Sequence, residues 1–542
     1  MIFELNIYLA SIQILLYALG LQIILYIIVK IFYSNIPDLK INRIFAFFTL
    51  LSLFLALLIH IYSLTYQPFT SYFFPFDSTT GLLIATTNSQ YLSLIILFFA
   101  LLSFGSIYQS FIIQKLYFIE FYIIFLLCII TALFITLSNN LFFTYTLIEL
   151  LTLAYFILAS FKRTSTFSSE SGVKYFIVGS IISCIFILGI SLIYHHACSL
   201  NLYSIQKSLD SLIIQDYLMN SDVLEYKFGI FLIIFSIFCK LGLIPFHFWT
   251  LDVYEGSPLG ATILFSFLTK IILIDFFAKF LLVFKNFFTY TDFDILLSIA
   301  IFSIFFGAFM TLMQTRMKRF LIYSSITQIG FSISAFIVGC KYSELLISFY
   351  KIGYLYIIIY TFIMLLLWNL YTNFYYYFIS RNSNEGNFYL TDFSKIKNTN
   401  ESWFLLIILI FLTASGIPPF AGFFLKWTFG KVFLDIYLSN KILVLLIIFI
   451  VIIIISIISM YYYLRILKFL SDSFVFFRDN FIISKIDKSY FLNTHVDDIF
   501  IIYYNFFIIL FLLNFLYSCI FFESTWFNFM DLIICDQYMY TY

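Results

Sequence analysis

Charged side chains are scarce in this sequence. Asp, Glu, Lys and Arg together make up 11% of its 542 residues, whereas a typical soluble domain carries about 25%. This scarcity excludes a water-soluble globular protein. The charges also balance, at a formal net charge of +1. The chain therefore has no basic excess that would attract nucleic acid, and we expect no nucleic-acid partner.

Cysteine and glycine lack the spacings that bind cofactors. The seven cysteines form no CxxC pair, which excludes the usual iron–sulfur and structural zinc sites. The 18 glycines form neither a GxGxxG fingerprint nor a Walker loop, so no nucleotide site is visible. His195 and His196 lie near the end of an apolar run and form no cysteine or acidic ligand pattern with their neighbours. We therefore expect no metal and no cofactor in this chain.

Long apolar runs dominate what is present. Hydrophobic residues make up 63% of the chain, and the mean hydropathy is +1.04. Because about 20 apolar residues cross a bilayer core, the runs predict an all-α polytopic membrane protein with about fourteen transmembrane helices. The first run has no basic leader and is expected to be a span. The predicted spans are 5–32, 43–64, 88–108, 117–137, 141–161, 174–196, 228–250, 260–282, 293–313, 319–339, 343–372, 402–430, 441–468 and 498–521.

Lysine and arginine favour one set of the predicted loops. Loops after odd-numbered spans hold more of them than the opposite loops do, and Lys40, Lys115, Arg316 and Lys318 are examples. Basic loops of membrane proteins stay on the cytoplasmic or equivalent inner side. The sequence therefore predicts basic loops inside and both termini outside.

A short motif occurs twice and predicts an internal repeat. GLIPF at 242–246 is echoed by GIPPF at 416–420. Proline removes a backbone donor, so we expect interrupted helices at Pro245 and at Pro418 and Pro419. An odd number of spans separates the copies, which therefore enter the membrane from opposite sides. Inverted repeats with matched interruptions point to an ion site near the bilayer midplane.

The repeat divides the chain into four predicted segments. Each repeat contains five helices, of which one is broken. The segments are 1–116 with helices 1–3, 117–282 as the first repeat, 283–470 as the second repeat, and 471–542 with a loop and helix 14.

Four of the charged residues inside predicted spans matter most, namely Glu149, Lys240, Lys270 and Lys426. An ammonium group in hydrocarbon costs roughly 2.5–3.5 kcal/mol, so such residues usually face a polar interior. Burial disfavours a charged lysine, whereas a carboxylate within about 4–6 Å favours it. A Glu149–Lys240 pair is therefore predicted to hold a proton when close and to release it when separated. The alternative is a set of structural ion pairs that keep the helices in register.

Two further polar residues lie beside these charges. Asp275 shares the predicted helix of Lys270, and we interpret it as a structural ion-pair partner. His247 follows the break at Pro245 and is a candidate for orienting the broken helix or for relaying a proton.

The stretches that carry these residues resemble subunit 2, or chain N, of proton-pumping NADH–quinone oxidoreductase, which is respiratory complex I. This subunit belongs to a superfamily of antiporter-like subunits. The DVYEGSP ending and Lys426 favour subunit 2 over its paralogues. The similar stretches are IELLTLAYFILASFKRTSTFSSESGVKYFIVGS (148–180), KLGLIPFHFWTLDVYEGSP (240–258), RMKRFLIYSSITQIG (316–330) and GIPPFAGFFLKW (416–427).

The resemblance implies a role for each intramembrane charge. Glu149 corresponds to the acidic modulator, Lys240 to the central pump lysine, Lys270 to the connecting lysine and Lys426 to the terminal lysine. Family members often carry histidine where this chain has Gln328. Glutamine does not titrate near neutral pH, so Gln328 lacks the ionisable group of such a relay, and it is a candidate relay residue that would act by ordering water.

The resemblance also implies an assembly. Other membrane-arm subunits of complex I, including paralogous antiporter-like subunits, and lipids are the expected partners. NADH, FMN, iron–sulfur clusters and ubiquinone would bind elsewhere in that enzyme, so this chain would have no redox centre. A subunit of a multisubunit cation/proton antiporter and a purely structural helix bundle are the alternatives. Heavy use of Phe, Ile and Tyr favours an AT-biased organellar genome. The expected location is the mitochondrial inner membrane, with basic loops in the matrix and termini toward the intermembrane space.

Overall fold

The computed structural model consists of long α-helices and contains no β-strand among the residues it describes. Those residues are 2–32, 38–66, 82–116, 118–206, 220–342, 346–381, 388–395, 401–440 and 443–478. In chain order the α-helices are α1 Ile2–Phe32, α2 Asp38–Tyr66, α3 Thr87–Ile113, α4 Glu120–Leu137, α5 Leu141–Ala159, α6 Thr166–Ala197, α7 Asn220–Leu241, α8 Phe248–Gly256, α9 Leu259–Phe284, α10 Tyr290–Met313, α11 Met317–Lys341, α12 Leu346–Arg381, α13 Glu401–Ser415, α14 Ala421–Asn440 and α15 Leu443–Arg478. Short 3-10 helices cover Lys285–Phe287 and Leu390–Lys395.

Ten helices of the described chain are long and apolar enough to cross a membrane. In hydrocarbon a helix satisfies its own backbone hydrogen bonds, which is why so apolar a chain folds as helices. The prediction of an all-α, polytopic membrane protein is confirmed. The last predicted span, 498–521, lies outside the described residues. Helix α15 continues to Arg478, beyond the limit of 470 predicted for the second repeat.

Two of the predicted spans, 228–250 and 402–430, are each interrupted by a short non-helical segment, which we call a gap. Helix α7 ends at Leu241 and α8 begins at Phe248, with Pro245 between them. Helix α13 ends at Ser415 and α14 begins at Ala421, with Pro418 and Pro419 between them.

A glycine with a positive φ angle opens each gap. The φ angle is 72° at Gly242 and 77° at Gly416. In this left-handed region an L side chain costs roughly 1–2 kcal/mol, so glycine suits both positions. A Cβ on Gly242 would also lie 2.4 Å from the Thr250 Cγ2 atom. The two gaps therefore share a glycine turn as well as prolines.

The chain divides into two compact units. Among the described residues, 2–297 and 336–351 form the first unit. Helix α9 is central to it, because every residue of α9 except Thr269 is buried. Helix α9 packs against α3, α4, α5 and α7, and α6 packs against α5, α7 and α8. These helices surround the first gap.

The second unit contains 298–335 and 352–478 of the described residues. Helix α15 packs there against α13, α14 and the short helix Leu390–Lys395. The Arg465 guanidinium donates from Nη1 to the Leu312 carbonyl at 2.8 Å, which joins α15 to the end of α10. These helices surround the second gap.

Candidate proton-translocation site

Glu149 and Lys240 form an ion pair in the first unit. Helix α5 begins at Leu141 because the Asn140 side chain accepts hydrogen bonds from the Phe142 and Phe143 amides. That start places Glu149 near the middle of α5. Its Oε2 atom lies 3.8 Å from the Lys240 Nζ atom. The lysine side chain is 7% exposed and the glutamate side chain 28% exposed, so the carboxylate is the outer member of the pair.

A threonine of the same helix also contacts Glu149. The Thr152 hydroxyl donates to the Glu149 main-chain carbonyl at 2.8 Å and lies 3.4 Å from the Glu149 Oε2 atom. One oxygen of the carboxylate therefore faces both a hydroxyl and an ammonium group.

Lys240 lies in the last turn of α7, at the carbonyl end of a half-helix. The carbonyl end of a helix carries a partial negative charge that favours a cation. The neighbouring Cys239 carbonyl accepts from the Gly242 amide at 3.1 Å and from the Trp249 indole Nε1 at 3.0 Å. Trp249 thereby ties α8 to the end of α7. His247 is buried between the two half-helices, and its ring centroid lies 4.4 Å from that of Phe248.

Lys426 lies beside the second gap and reaches back across it. Its Nζ atom donates to the Ser415 carbonyl at 2.9 Å and to the Ser459 hydroxyl at 2.5 Å. Ser415 is the last residue of α13, so this ammonium also lies at the carbonyl end of a half-helix. A Cβ on Gly416 would lie 2.8 Å from the Lys426 Nζ atom. The glycine turn therefore makes room for the lysine.

Lys270 lies in the middle of α9 and is 5% exposed. Unlike Lys240, it makes no ion pair with any carboxylate of the described residues. It belongs to the same unit as the Glu149–Lys240 pair, whereas Lys426 belongs to the second unit.

Gln328 is buried in α11. Its Oε1 atom accepts a short hydrogen bond from the Tyr356 hydroxyl of α12. The phenol therefore occupies one acceptor position of the amide, and the pair joins α11 to α12 within the second unit.

Asp275 forms an ion pair with Lys279, a residue that was not singled out from the sequence. The Lys279 Nζ atom lies 2.7 Å from the Asp275 Oδ2 atom and donates to the Thr136 carbonyl at 2.5 Å. The Asn88 amide lies 3.4 Å from the other carboxylate oxygen. The structural ion-pair partner of Asp275 is therefore Lys279, four residues further along α9. An acid and a lysine at this spacing on an apolar helix are the signal that indicates such a pair.

The structure brings an acid to the two adjacent histidines that the local sequence pattern does not contain. Glu225, at the start of α7, brings its Oε2 atom to 3.5 Å from the His196 Nε2 atom. One ligand atom from each of His195, His196 and Glu225 lies within 4.8 Å of the others. The acid is distant in sequence, so the local pattern could not reveal it. The absence of a bound metal stays a prediction.

A cavity lies beside Lys240. It is small, with a volume of about 30 Å³. Helices α5, α6, α8 and α9 and the end of α7 line it, with Thr152, Tyr155, Gly179, Lys240 and Thr269 among the lining residues. The cavity thus extends from the helix of Glu149 to the residue next to Lys270.

Ion-translocating membrane proteins commonly place cation sites at the carbonyl ends of interrupted helices, and both gaps have a buried lysine in this arrangement. Residues 138–462 match the NADH:quinone oxidoreductase/Mrp antiporter transmembrane family. This match covers more than half of the chain, and the chain belongs to that family. The resemblance found from the sequence is confirmed.

Curated relatives agree with this assignment. NADH-quinone oxidoreductase subunit N of Pelagibacter ubique is 32% identical over 324 residues, which are 59% of this chain and 64% of that protein. The same subunit of Rickettsia typhi is 32% identical over 324 residues, 59% of this chain and 65% of its own. The match spans somewhat less than two thirds of these relatives.

Three solved structures share the fold. An archaeal membrane-bound sulfane sulfur reductase chain has a TM-score of 0.72 at 16% identity and covers 98% of this chain and 97% of its own. A chain of Thermus thermophilus respiratory complex I with bound aureothin has a TM-score of 0.62 at 21% identity and covers 85% of this chain and 89% of its own. A chain of the Mrp complex from Dietzia sp. DQ12-45-1b has a TM-score of 0.65 at 16% identity and covers 86% of this chain and 80% of its own.

Proposed function

We propose that this chain is a proton-translocating membrane-arm subunit of an NADH:ubiquinone oxidoreductase and that it works without a redox centre of its own. Its quinone reductase activity would belong to the whole complex, with NADH, FMN, iron–sulfur clusters and ubiquinone bound by other subunits. The relatives named as subunit N support the choice of complex. The observation that carries the proposal is the Glu149–Lys240 pair beside the broken helix.

The pair acts as a switch on the proton affinity of Lys240. In its buried position the lysine loses hydration, which disfavours the ammonium, whereas the carboxylate at 3.8 Å favours it. Moving the carboxylate away, or neutralising it, therefore drives the proton off Lys240 to a neighbouring acceptor. Because the Glu149 side chain is more exposed than the lysine, a change outside the chain can reach it.

The other two lysines take the remaining roles. Lys270 accepts the proton within the first unit, where it makes no ion pair with a carboxylate of the described residues. Lys426 is the terminal carrier, held by neutral oxygens of Ser415 and Ser459. Neutral acceptors stabilise an ammonium less than a carboxylate does, so Lys426 can give up its proton more readily. Gln328 and His247 order the surrounding structure rather than carry the proton.

The other assignments follow from the same proposal. Paralogous antiporter-like subunits and lipids are its partners, and the mitochondrial inner membrane is its location. Basic loops face the matrix, and the termini face the intermembrane space. The uneven distribution of lysine and arginine and the AT-biased composition support this location and orientation.

A cation/proton antiporter is the second candidate function. The structural likeness to the Mrp complex favours it, although at 16% identity this likeness concerns the fold. The two functions differ in the mass of the assembly and in the ion required. A large complex with NADH dehydrogenase activity supports the first, and sodium-dependent proton flux from a smaller complex supports the second.

Lys240→Met and Glu149→Gln test the proposal in membrane vesicles that contain the assembled complex. We expect coupled quinone reduction and proton pumping to fall at least tenfold, while native gels show a complex of unchanged mass. Lys174→Met is the matched control, because Lys174 is 43% exposed and pairs with Glu170 and Asp252 at 2.7 and 2.8 Å. Normal pumping by assembled Lys240→Met would refute the proposal. Loss of assembly in both site variants would support a scaffold instead.

A further inference from the structure

One residue that lines the cavity beside Lys240 has a buried hydroxyl that the proposed proton transfer does not yet use. Tyr155 on α5 is 1% exposed and lines this cavity. Its hydroxyl has no hydrogen-bonding partner among the residues that the structure describes. A buried hydroxyl without a partner is costly, and a water molecule in an adjacent polar cavity is the usual remedy.

The ring of Tyr155 is fixed, so its hydroxyl has a defined position. The ring centroid lies 4.7 Å from that of Phe265 on α9, in an edge-to-face arrangement. The Phe265 carbonyl is already an acceptor for the Tyr254 hydroxyl at 2.9 Å and for the Thr269 hydroxyl at 2.6 Å. Tyr254 and Thr269 are thereby committed to the protein backbone, whereas Tyr155 has its hydroxyl available for water.

The polar groups around the cavity connect the two lysine-bearing helices. Thr152, which also contacts the Glu149 carboxylate, lies on one wall, and Lys240 lies on another. Thr269 lies on the α9 wall and directly precedes Lys270 in sequence. A water molecule held in this space would therefore lie between the pair and α9.

We propose that the Tyr155 hydroxyl binds water in the cavity beside Lys240 and that this makes Tyr155 a positioning residue for the proton leaving Lys240. This inference rests on the proposed function. The proton passes from the Lys240 ammonium to a water molecule, which becomes hydronium as the lysine becomes neutral. That water then gives a proton to the next acceptor, so no bond other than O–H and N–H changes. Tyr155 keeps its own proton throughout.

Gly179 on α6 offers an independent way to alter the same space. It lines the cavity, and a Cβ added there would meet no heavy atom within 4 Å. A leucine side chain at this position can therefore occupy part of the free space without colliding with the backbone. Water would be excluded while Glu149, Lys240 and Tyr155 all remain.

The first experiment removes the hydroxyl. Tyr155→Phe keeps the ring against Phe265, and Tyr122→Phe is the control because Tyr122 is also 1% exposed but lies on α4, away from the cavity lining. In assembled complex we expect Tyr155→Phe to lower the turnover of coupled quinone reduction about two- to tenfold, the factor of one hydrogen bond. The KM for quinone should stay unchanged, and the solvent isotope effect in D₂O should increase. If Tyr155 had a purely structural role, Tyr155→Phe would not change the solvent isotope effect, and it would not lower turnover while the KM for quinone stays unchanged.

The second experiment fills the cavity. Gly179→Leu should lower proton pumping in the assembled complex at least as much as Tyr155→Phe does. Gly20→Leu on α1 is the matched control, because a Cβ at Gly20 also meets no heavy atom within 4 Å. Turnover and isotope effects equal to those of the controls in both site variants would overturn the inference.

The two proposals fail in different ways. If Lys240→Met abolishes pumping but Tyr155→Phe and Gly179→Leu match their controls, only the water site is refuted. If Lys240→Met pumps normally, the proposed function itself is refuted, whatever the cavity variants do.

Discussion

Gly416→Ala should displace the Lys426 ammonium without touching any charged residue. The φ angle of 77° at Gly416 makes alanine cost roughly 1–2 kcal/mol in this left-handed conformation. The new methyl carbon would also lie 2.8 Å from the Lys426 Nζ atom, which is too close for a carbon–nitrogen contact. The ammonium or the turn therefore has to shift, and we expect this to break the 2.9 Å hydrogen bond from the ammonium to the Ser415 carbonyl.

The size of the effect follows from these two contributions. Loss of one hydrogen bond by a charged group costs about 1.5–3 kcal/mol. Together with the backbone conformation, we expect about 2.5–5 kcal/mol of destabilisation, the sum of the two ranges. The thermal midpoint of the assembled complex, followed on native gels, should fall, and proton pumping should fall about tenfold or more in the fraction that assembles.

Two further variants separate the contributions. Asparagine accepts a positive φ more readily than alanine but still carries a Cβ. Gly416→Asn should therefore recover the part of the thermal stability that alanine loses through the backbone conformation, without recovering proton pumping. Gly430→Ala on α14, the helix of Lys426, is the neutral control, because its Cβ would meet nothing closer than 3.4 Å. Normal pumping by assembled Gly416→Ala and Gly416→Asn would refute the view that the glycine makes room for the lysine.

Three other substitutions test the remaining contacts. Ser459→Ala removes the hydroxyl acceptor at 2.5 Å from Lys426, and we expect slower proton pumping in vesicles with unchanged assembly on native gels. Gly422→Ala would place a methyl carbon 2.0 Å from a backbone carbonyl oxygen, so little assembled complex should be recovered from membranes. Lys279→Met leaves the buried Asp275 carboxylate without its cation at a cost of about 3–5 kcal/mol. Adding Asp275→Asn should restore most of the assembled yield, and equal yields from the single and double variants would contradict an ion pair.

The sequence revealed the features that depend on local pattern. Composition and the length of apolar runs were sufficient for the helical membrane fold, because hydrocarbon leaves a chain few other ways to satisfy its backbone. The GLIPF and GIPPF motifs marked the segments where the structure has its two gaps. Intramembrane charge singled out Glu149 and Lys240, which the structure places 3.8 Å apart.

Contacts between distant segments could not be read from the sequence. Ser459 binds Lys426 from a helix 33 residues further along, and nothing local to either residue indicates it. Glu225 reaches the adjacent histidines only because α7 packs against the end of α6. The hydroxyl of Tyr155 becomes notable only once the cavity is known, since its sequence neighbours are ordinary apolar residues.

The two gaps hold their lysines at equivalent places in the fold but at different places in the sequence. Lys240 precedes its glycine turn and Lys426 follows its own, yet each belongs to the carbonyl end of the half-helix before the gap. A column-by-column comparison of the two motifs would pair Lys240 with an alanine and Lys426 with an aspartate. The backbone therefore determines where the ammonium group lies. The lysine that supplies this group can come from either side of the glycine turn in the sequence. Distant members of the family whose motifs lack a lysine should be searched for one on the opposite side of the turn.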